Sequence, residues 1–556
     1  MTRSRAAYVL ACAFLSGAAV MVVEMTAVRV LQPFFGSTNY VWTNVIATVL
    51  AALSLGYWLG GRLAEKRPVP STYFGVLAVG GLLVVASVPL ATPFSTWLQP
   101  GKADLEGVVG VLVRGSLVAT IVLFAPAMAV LGAVSPIAIK LLSEAGAGRA
   151  AGRVFAVSTL GSLVGTYLPT LWLIPERGSR ESLLIAGAML LVPAVVGLLT
   201  FAGRSGATAA AVVVAIGGAV ASVAETRPAR PAPLLRNRGT ATVLAEVETP
   251  YQYVTVRDDS YPSQTERMLT INEGVYTYHS FEVLGHILTN SRYYDDYAVL
   301  PLLIDVPAGE ELRGCVVGLA CGVTPRQWIH FWGKKWKLSI DGAEIDPEIL
   351  RLGREFFHLR ESEAAGLNAF AMDGRQMLAA LPESRRYHML VVDAFTNELY
   401  IPFHLGTREF FTLCRDRLED GGVFAMNVYA YRPDSPNLVA LENTLAHVFG
   451  SCLRVRQTIG GNFLLLARRG ASPPDLTRLV ASRIKEREGN RAGVPEWDDP
   501  EKGSENGLVA LAGRMPRQAT LVRPDASKLV LTDDHAPLEH LTDLFLDRSD
   551  RELTAE

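Results

Sequence analysis

The first 224 residues hold seven apolar runs, centred on 7–23, 41–60, 73–92, 115–139, 154–174, 183–202 and 207–224. A helix needs ~20 apolar residues to cross the hydrocarbon of a bilayer, and a backbone in lipid must satisfy its polar groups within its own segment. This half is therefore expected to be an α-helical membrane domain of about seven spans. Half of the 556 residues are hydrophobic and only 19% are charged, averages that hide a second half of ordinary soluble composition. The first run follows Arg3 and Arg5 and has the layout of a signal peptide. With further spans behind it, an uncleaved first helix is the expectation.

Cationic residues in short loops orient such a domain. Arg62, Lys66 and Arg67 follow the second run, and Lys140, Arg149 and Arg153 follow the fourth. Both loops are expected in the cytoplasm, with the N-terminus on the same side. Seven spans would then export the second half, whereas six or eight would keep it inside. Arginines 227, 230, 236 and 238 flank its entry, and a cytoplasmic second half on a multi-pass inner (plasma) membrane protein is the expectation. Glu24 and Arg29 close the first run, where local pairing at the interface is the simplest reading. "GSLVG" at 161–165 has the spacing that lets helices approach closely. Pro126, Pro136 and Pro169 should bend their helices.

Residues 225–240, beginning "ETRPARPAPLLRNRG", read as a proline- and arginine-rich linker. Residues 241–314 should form a small β element, with "YQYVTVRDD" and "ERMLTINEG" as antiparallel strands and a helix-like stretch at 281–290. From 315 to 556 apolar runs alternate with helical stretches: 315–319, "KLSIDGAEID" (337–346), "NAFAMDG" (368–374), "HMLVVDAF" (388–395) and "VFAMNVY" (423–429). Such alternation implies an α/β Rossmann-like fold on an open, mostly parallel sheet, whose ligands bind beyond the carboxyl ends of the strands.

The chemistry-bearing residues fall at those ends. Gly318 and Gly322 follow the first strand, where glycine lets backbone approach a ligand and the next helix offers its N–H groups. Glu344 closes the second strand and could accept both hydroxyls of a ribose. Asp373 closes the third and could accept from an adenine amino group. Asp393 closes the fourth and faces the centre of the crevice. Taken singly, Asp373 or Asp346 would read as a helix cap. Three acids in succession, in register with a glycine turn, point to a nucleoside site. The five cysteines show no CxxC spacing and His330, His358 and His388 no ligand spacing with one another; Asp533, Asp534, His535 and His540 could ligate a metal, but a turn is the expectation there and no metal site is expected. Cys315 and Cys321 read as small buried hydrophobes, and Trp328, Trp332 and Trp336 as the packed side of the first helix. A net charge of −2 gives no sign of nucleic-acid binding.

In order and spacing, "YQYVTV", "YHSFEVLGH", "VVGLACGVTPRQ", "GAEIDPEIL", "AMDGRQML" and "YHMLVVDAFTNELYIPFHLGTREFF" resemble the spermidine synthase (polyamine aminopropyltransferase) family over roughly 250–430. "FLSGAAVMVVEMTAVRVLQPFFGS", "SLGYWLGGRLAEKR" and the C-terminal "LTDDHAPLEHL" resemble the branch in which such a domain is fused to a membrane domain. The resemblance implies a fold of the adenosylmethionine-type methyltransferase class. It implies no tightly bound cofactor, but decarboxylated S-adenosylmethionine or S-adenosylmethionine as co-substrate. Gln252, Gly318, Gly322, Glu344, Asp373 and Gly374 would contact that donor. Asp393 would be the base, with Tyr278, His279 and Thr396 near the amine. The partners implied are a small amine or a substrate delivered from the membrane, and the lipid bilayer. A homodimer is compatible with all of this.

Two departures stand out. The family's loop, typically Gly-Gly-Gly-Asp-Gly-Gly, is Gly-Leu-Ala-Cys-Gly-Val here, and the second acid of its Asp-Ser-x-Asp-Pro is Thr396. A methyltransferase, or a non-catalytic membrane sensor or transporter-like protein with a degenerate nucleoside-binding domain, are the alternatives. The "LTDDHAPLEHL" segment is expected to be a turn folding the C-terminal region over the crevice.

Overall fold

The structure, a computed structural model, describes residues 3–35, 39–98, 108–143, 146–201, 203–226, 241–271, 278–289, 292–396, 399–430, 432–457, 461–470, 472–479, 508–542 and 544. Chain contacts divide these into two compact units. One holds the N-terminal helices and the turn Val247–Tyr253; the other holds 241–246 and the described chain from Val254 onward. All but two residues of the expected linker lie outside the described residues.

Six helical segments of the first unit are long and apolar enough to cross a membrane: Arg3–Gln32, Tyr40–Lys66, Pro70–Leu98, Ala125–Leu142, Ala147–Leu173 and Glu176–Phe201. The fourth expected run is not one helix but three, Val108–Leu123, Ala125–Gly132 and Val134–Leu142. Pro126 and Pro136 lie at the starts of the second and third, where a missing N–H is tolerated. The seventh expected span lies within the helix Gly203–Thr226, whose apolar part, Ser205–Val220, is shorter than the other six. At Pro169 the helix Ala147–Leu168 widens into a π turn, Pro169–Leu173. Leu160, Leu171, Trp172, Val192 and Leu199 are exposed on this unit. So much outward apolar surface suits lipid rather than water, and the unit is a multi-pass membrane region in contact with a bilayer.

Glycine spacing sets one helix contact. A Cβ at Gly161 would lie 2.0 Å from the Phe14 carbonyl oxygen, and one at Gly165 would lie 2.2 Å from that of Ala18. The first helix and the helix Ala147–Leu168 therefore touch backbone to backbone, as the 161–165 spacing predicts. Arg29 reaches the Thr249 carbonyl at 3.4 Å, within the same unit.

Strands β1 (Ala241–Glu248), β2 (Tyr253–Ser260), β3 (Thr265–Ile271) and β4 (Ser280–Val283) form a sheet in that order, all of it in the second unit but Val247, Glu248 and Tyr253. The β2–β3 pair is antiparallel, as expected. The helix expected over 281–290 is instead β4 and a turn. Phe281 and Val283 alternate inward, as a strand requires, and Gly285 turns the chain at φ 83°. The second sheet contains β5 (Glu311–Val317), β6 (Lys337–Glu344), β7 (Leu367–Ala371), β8 (Tyr387–Val392), β9 (Leu418–Tyr429), β10 (Cys452–Arg456), β11 (Asn462–Arg468) and β12 (Ala519–Val522). Its order is β12-β10-β11-β9-β8-β5-β6-β7. Strands β5 to β9 are mutually parallel, and β11 runs antiparallel to β9.

Alternate residues of these strands bury into two cores. Val316, Met389, Val391 and Ala425 face one; Val317, Leu390, Val392 and Phe424 face the other. Trp328, Trp332 and Trp336 are buried in the first core, and their indoles donate to the carbonyls of Tyr297, Ala298 and Val306. They are packing residues, as read. Chain order reverses between β5 and β8, so a crevice opens at their carboxyl ends, the position where folds of this kind bind ligands.

Candidate active site

The loop after β5 is shaped by three left-handed residues at alternate positions: Gly318 at φ 84°, Ala320 at φ 46° and Gly322 at φ 82°. Only glycine fits at 318, because a Cβ there would lie 2.4 Å from the Asp393 carbonyl oxygen. Ala320 adopts the same region with a side chain, a conformation L-residues pay for in strain. In return its N–H points at Glu344, donating to Oε2 at 2.9 Å, while the Asp346 N–H donates to Oε1 at 3.1 Å. Cys321 is buried; its N–H donates to Ser280 Oγ at 2.9 Å, and burial pushes its thiol up. All five cysteines are free and buried, which fits the bland reading of Cys315 and Cys321.

Glu344 ends β6 and is 8% exposed. Burial raises its carboxyl to about 7, although the two backbone N–H groups oppose the rise. Asp373 follows β7 and caps the helix Gly374–Ala380, accepting the Gln376 N–H at 2.9 Å. It also meets His404 Nε2 at 2.9 Å. That bond, more than the cap, holds its carboxyl below the ordinary range. Asp346 caps an earlier helix, Pro347–Phe356, by accepting the Glu348 N–H at 3.0 Å. Gly374 is buried, and a Cβ there would lie 2.4 Å from Val317 Cγ1, so this helix sits close on β5.

Asp393 follows β8, and its N–H donates to the Val317 carbonyl at 2.8 Å. Its carboxyl is raised to about 7 by burial, against the hydrogen bond of Asn427 and the neighbouring Tyr293 hydroxyl. Asn427 Nδ2 donates to Asp393 Oδ1 at 3.0 Å, and Asn462 Nδ2 donates in turn to Asn427 Oδ1 at 2.9 Å. One buried amide thus holds a carboxylate oxygen and is itself oriented by a second amide. A carboxyl poised near neutrality at a crevice is suited to taking a proton.

The other expected residues fall as follows. Tyr278 packs among aromatic rings, stacked on Tyr293 at 6.3 Å. His279 has Nε2 buried without a hydrogen-bond partner, and burial lowers it to about 4, so its imidazole is neutral at pH 7. Thr396 is exposed and turns its hydroxyl onto the Tyr400 carbonyl at 3.2 Å. Gln252 lies in the β1–β2 turn, in the first unit, where its N–H donates to Thr249 Oγ1 at 3.0 Å. The 531–535 segment is a turn: Asp533 pairs with Arg375 and accepts from Thr407 at 2.7 Å, beside Asp373 and His404. Among the described residues no three His, Cys, Asp or Glu side chains gather as a metal site.

Sequence reading passed over Ala320, Tyr293, Asn427 and His404. Ala320 alone had a local signal, the alternation of small residues at 318, 320 and 322. The edge as a whole is a Rossmann-like site that places three carboxylates around a glycine turn, an arrangement suited to a nucleoside and a proton acceptor. No protein-family model matches the chain. It is 29% identical over 305 residues to a probable polyamine aminopropyl transferase of Bifidobacterium longum, covering 53% of this chain and 61% of that protein. It is 27% identical over 144 residues to the polyamine aminopropyltransferase of Vibrio vulnificus, covering 25% of this chain and 46% of that protein. The matches therefore span less than two thirds of either relative's length. Among solved structures, a probable spermidine synthase of Corynebacterium glutamicum aligns over 52% of this chain and 97% of its own, with a TM-score of 0.37 and 18% identity. The chain is distantly homologous to the spermidine synthase/aminopropyltransferase family.

Proposed function

We propose that the chain is a membrane-anchored transferase that moves the aminopropyl group of decarboxylated S-adenosylmethionine to an amine. The observation that carries the reading is Asp393, held by Asn427 at the topological switch point with its carboxyl raised to about 7. In this reading Glu344 accepts the ribose hydroxyls with its remaining lone pairs, and Asp373 accepts from the adenine. Gly318, Gly322 and Gly374 allow the close backbone approach, and Tyr278, His279 and Thr396 lie toward the amine. The attacking nitrogen must offer a lone pair. Asp393 takes the proton that this nitrogen sheds as it bonds to the propyl carbon. The carbon–sulfur bond breaks, and its electrons turn the sulfonium into a neutral thioether. A positioned base of this kind contributes roughly 10²–10⁴ in rate.

Cys321 supports a second reading, methyl transfer from S-adenosylmethionine. It stands where the aminopropyltransferase loop has an acid, and its buried thiol offers no negative charge to the donor's amino end. One assay separates the two. The full chain in detergent is given each donor with a panel of amines, and the nucleoside product is identified. Release of 5′-methylthioadenosine supports the first reading and S-adenosylhomocysteine the second. Binding of either donor without product leaves a nucleoside-sensing membrane protein. Glu344→Ala and Asp373→Ala should each weaken donor binding by ~1.5–3 kcal/mol in calorimetry, and unchanged affinity in both overturns the nucleoside assignment.

A further inference from the structure

We propose that a groove among the membrane helices binds one anionic phospholipid, with its phosphate at Lys140 and an acyl chain along Tyr57 and Phe155. The groove, of about 620 Å³, is lined by the end of the helix Asn39–Lys66, the helix Val134–Leu142 and the start of the helix Ala147–Leu168. All three belong to the first unit, and the volume is that of an ordinary small-ligand site. Glycines shape it. A Cβ at Gly56 would lie 2.2 Å from the Ala129 carbonyl oxygen, and one at Gly60 would lie 2.4 Å from Ala133 Cα, so the first of these helices presses on the chain at 129–133. Gly61 lines the groove instead, and a Cβ there would meet nothing within 4 Å.

The lining is graded along the helix axes as a phospholipid is. Glu65 and Lys140 stand near helix ends, where the chain leaves the bilayer. Tyr57 precedes Glu65 by about two helical turns, which is ~12 Å deeper, and Phe155 lies as far beyond Ala147, which also lines the groove. Ile139 continues the apolar wall. Tyr57 and Phe155 are 48% and 56% exposed, so the groove is open at its side to lipid. Arg62 covers the Trp58 ring at 3.6 Å, a pairing suited to the membrane surface.

Charge at this end selects the headgroup. Residues 62–67 and 140–153 carry six arginines and lysines against two glutamates. Lys140, exposed at the rim, is the cation that lines the groove; Glu65 lines it too, within a surplus of positive charge. Basic pockets between transmembrane helices hold anionic headgroups, and the apolar wall below keeps the attached chain. A free phosphate would leave that wall empty, and an uncharged amphiphile would leave Lys140 without a counter-charge.

The test uses dioleoylphosphatidylglycerol and dioleoylphosphatidylcholine, which share their chains and differ in net charge. Each is titrated into the detergent-purified full chain, and bound lipid is counted by native mass spectrometry. The anionic lipid should be retained about fivefold better, the worth of one charge pair at an exposed rim. Lys140→Gln should remove most of that preference and leave the zwitterionic lipid within twofold of its wild-type level. Gly61→Leu, which fills open space and displaces no protein atom, should lower retention of both lipids about fivefold or more. Equal retention of the two lipids, a preference for the zwitterionic one, or no adduct with either overturns the inference. So does an unchanged preference in Lys140→Gln or unchanged retention in Gly61→Leu, since the lipid would then sit elsewhere. The wild-type comparison needs no variant to fold, and neither outcome depends on the transfer reading.

Discussion

Replacing Asp393 by asparagine should abolish most turnover and yet stabilise the second unit at alkaline pH. The carboxyl has an ordinary value of 3.8 and is raised to about 7 in the fold, chiefly by burial. A carboxyl whose pKa is higher folded than unfolded supports the fold below its unfolded value. It opposes the fold increasingly as pH climbs to the folded value. At 1.36 kcal/mol per unit, the opposing free energy is about 1.7 kcal/mol at pH 5 and about 4 kcal/mol at pH 8.5. Asparagine cannot ionise, so the variant escapes this cost at both values. It loses ~1 kcal/mol of hydrogen bonding at either pH, because the Asn427 amide then donates to a neutral amide oxygen rather than to a carboxylate. The pH-dependent part survives that loss: the advantage of Asp393→Asn over the wild type should grow by about 2.5 kcal/mol from pH 5 to pH 8.5. Urea unfolding of the full chain in detergent, followed through the fluorescence of buried Trp328, Trp332 and Trp336, measures the difference. A stability gap that stays the same at the two pH values would falsify the placement of a half-buried, protonatable carboxyl at this strand end.

Three further outcomes are expected. Ala320→Gly should raise stability by about 0.5–1 kcal/mol, the left-handed strain relieved less the greater chain entropy of glycine; a lowered thermal midpoint would count against the strain. A periplasm-active reporter fused after residue 240 should stay dark, since the second unit is proposed to be cytoplasmic; a signal would place it outside and favour a non-enzymatic role. Thr396→Asp should restore at best part of any 1,4-diaminobutane turnover, roughly tenfold. The Thr396 hydroxyl is turned onto Tyr400, and recovery to a rate equal to that with a monoamine would show that a missing acid alone sets the preference.

Local pattern determined a great deal. Apolar runs of bilayer length can be only helices in lipid, and the two glycines at 161 and 165 announce their own close contact. In the second half, runs of alternating period end in Gly318, Glu344, Asp373 and Asp393, and parallel strands necessarily bring those ends to one edge. Where local signals competed, tertiary context chose. The 281–290 stretch reads as helix-like, but Phe281 and Val283 bury against their neighbours only as a strand, and the fourth apolar run breaks beside its prolines. What the sequence could not show is which side chains meet across the crevice. Asn427 and Asp393 are 34 residues apart, and His404 and Asp373 are 31 apart. Arg292 reaches Phe281 and Glu266 through strands folded back on one another. No periodicity encodes such meetings, because each depends on the order and register of strands distant in the chain. The acids were therefore legible as residues, whereas the groups that tune them were decided only by the fold.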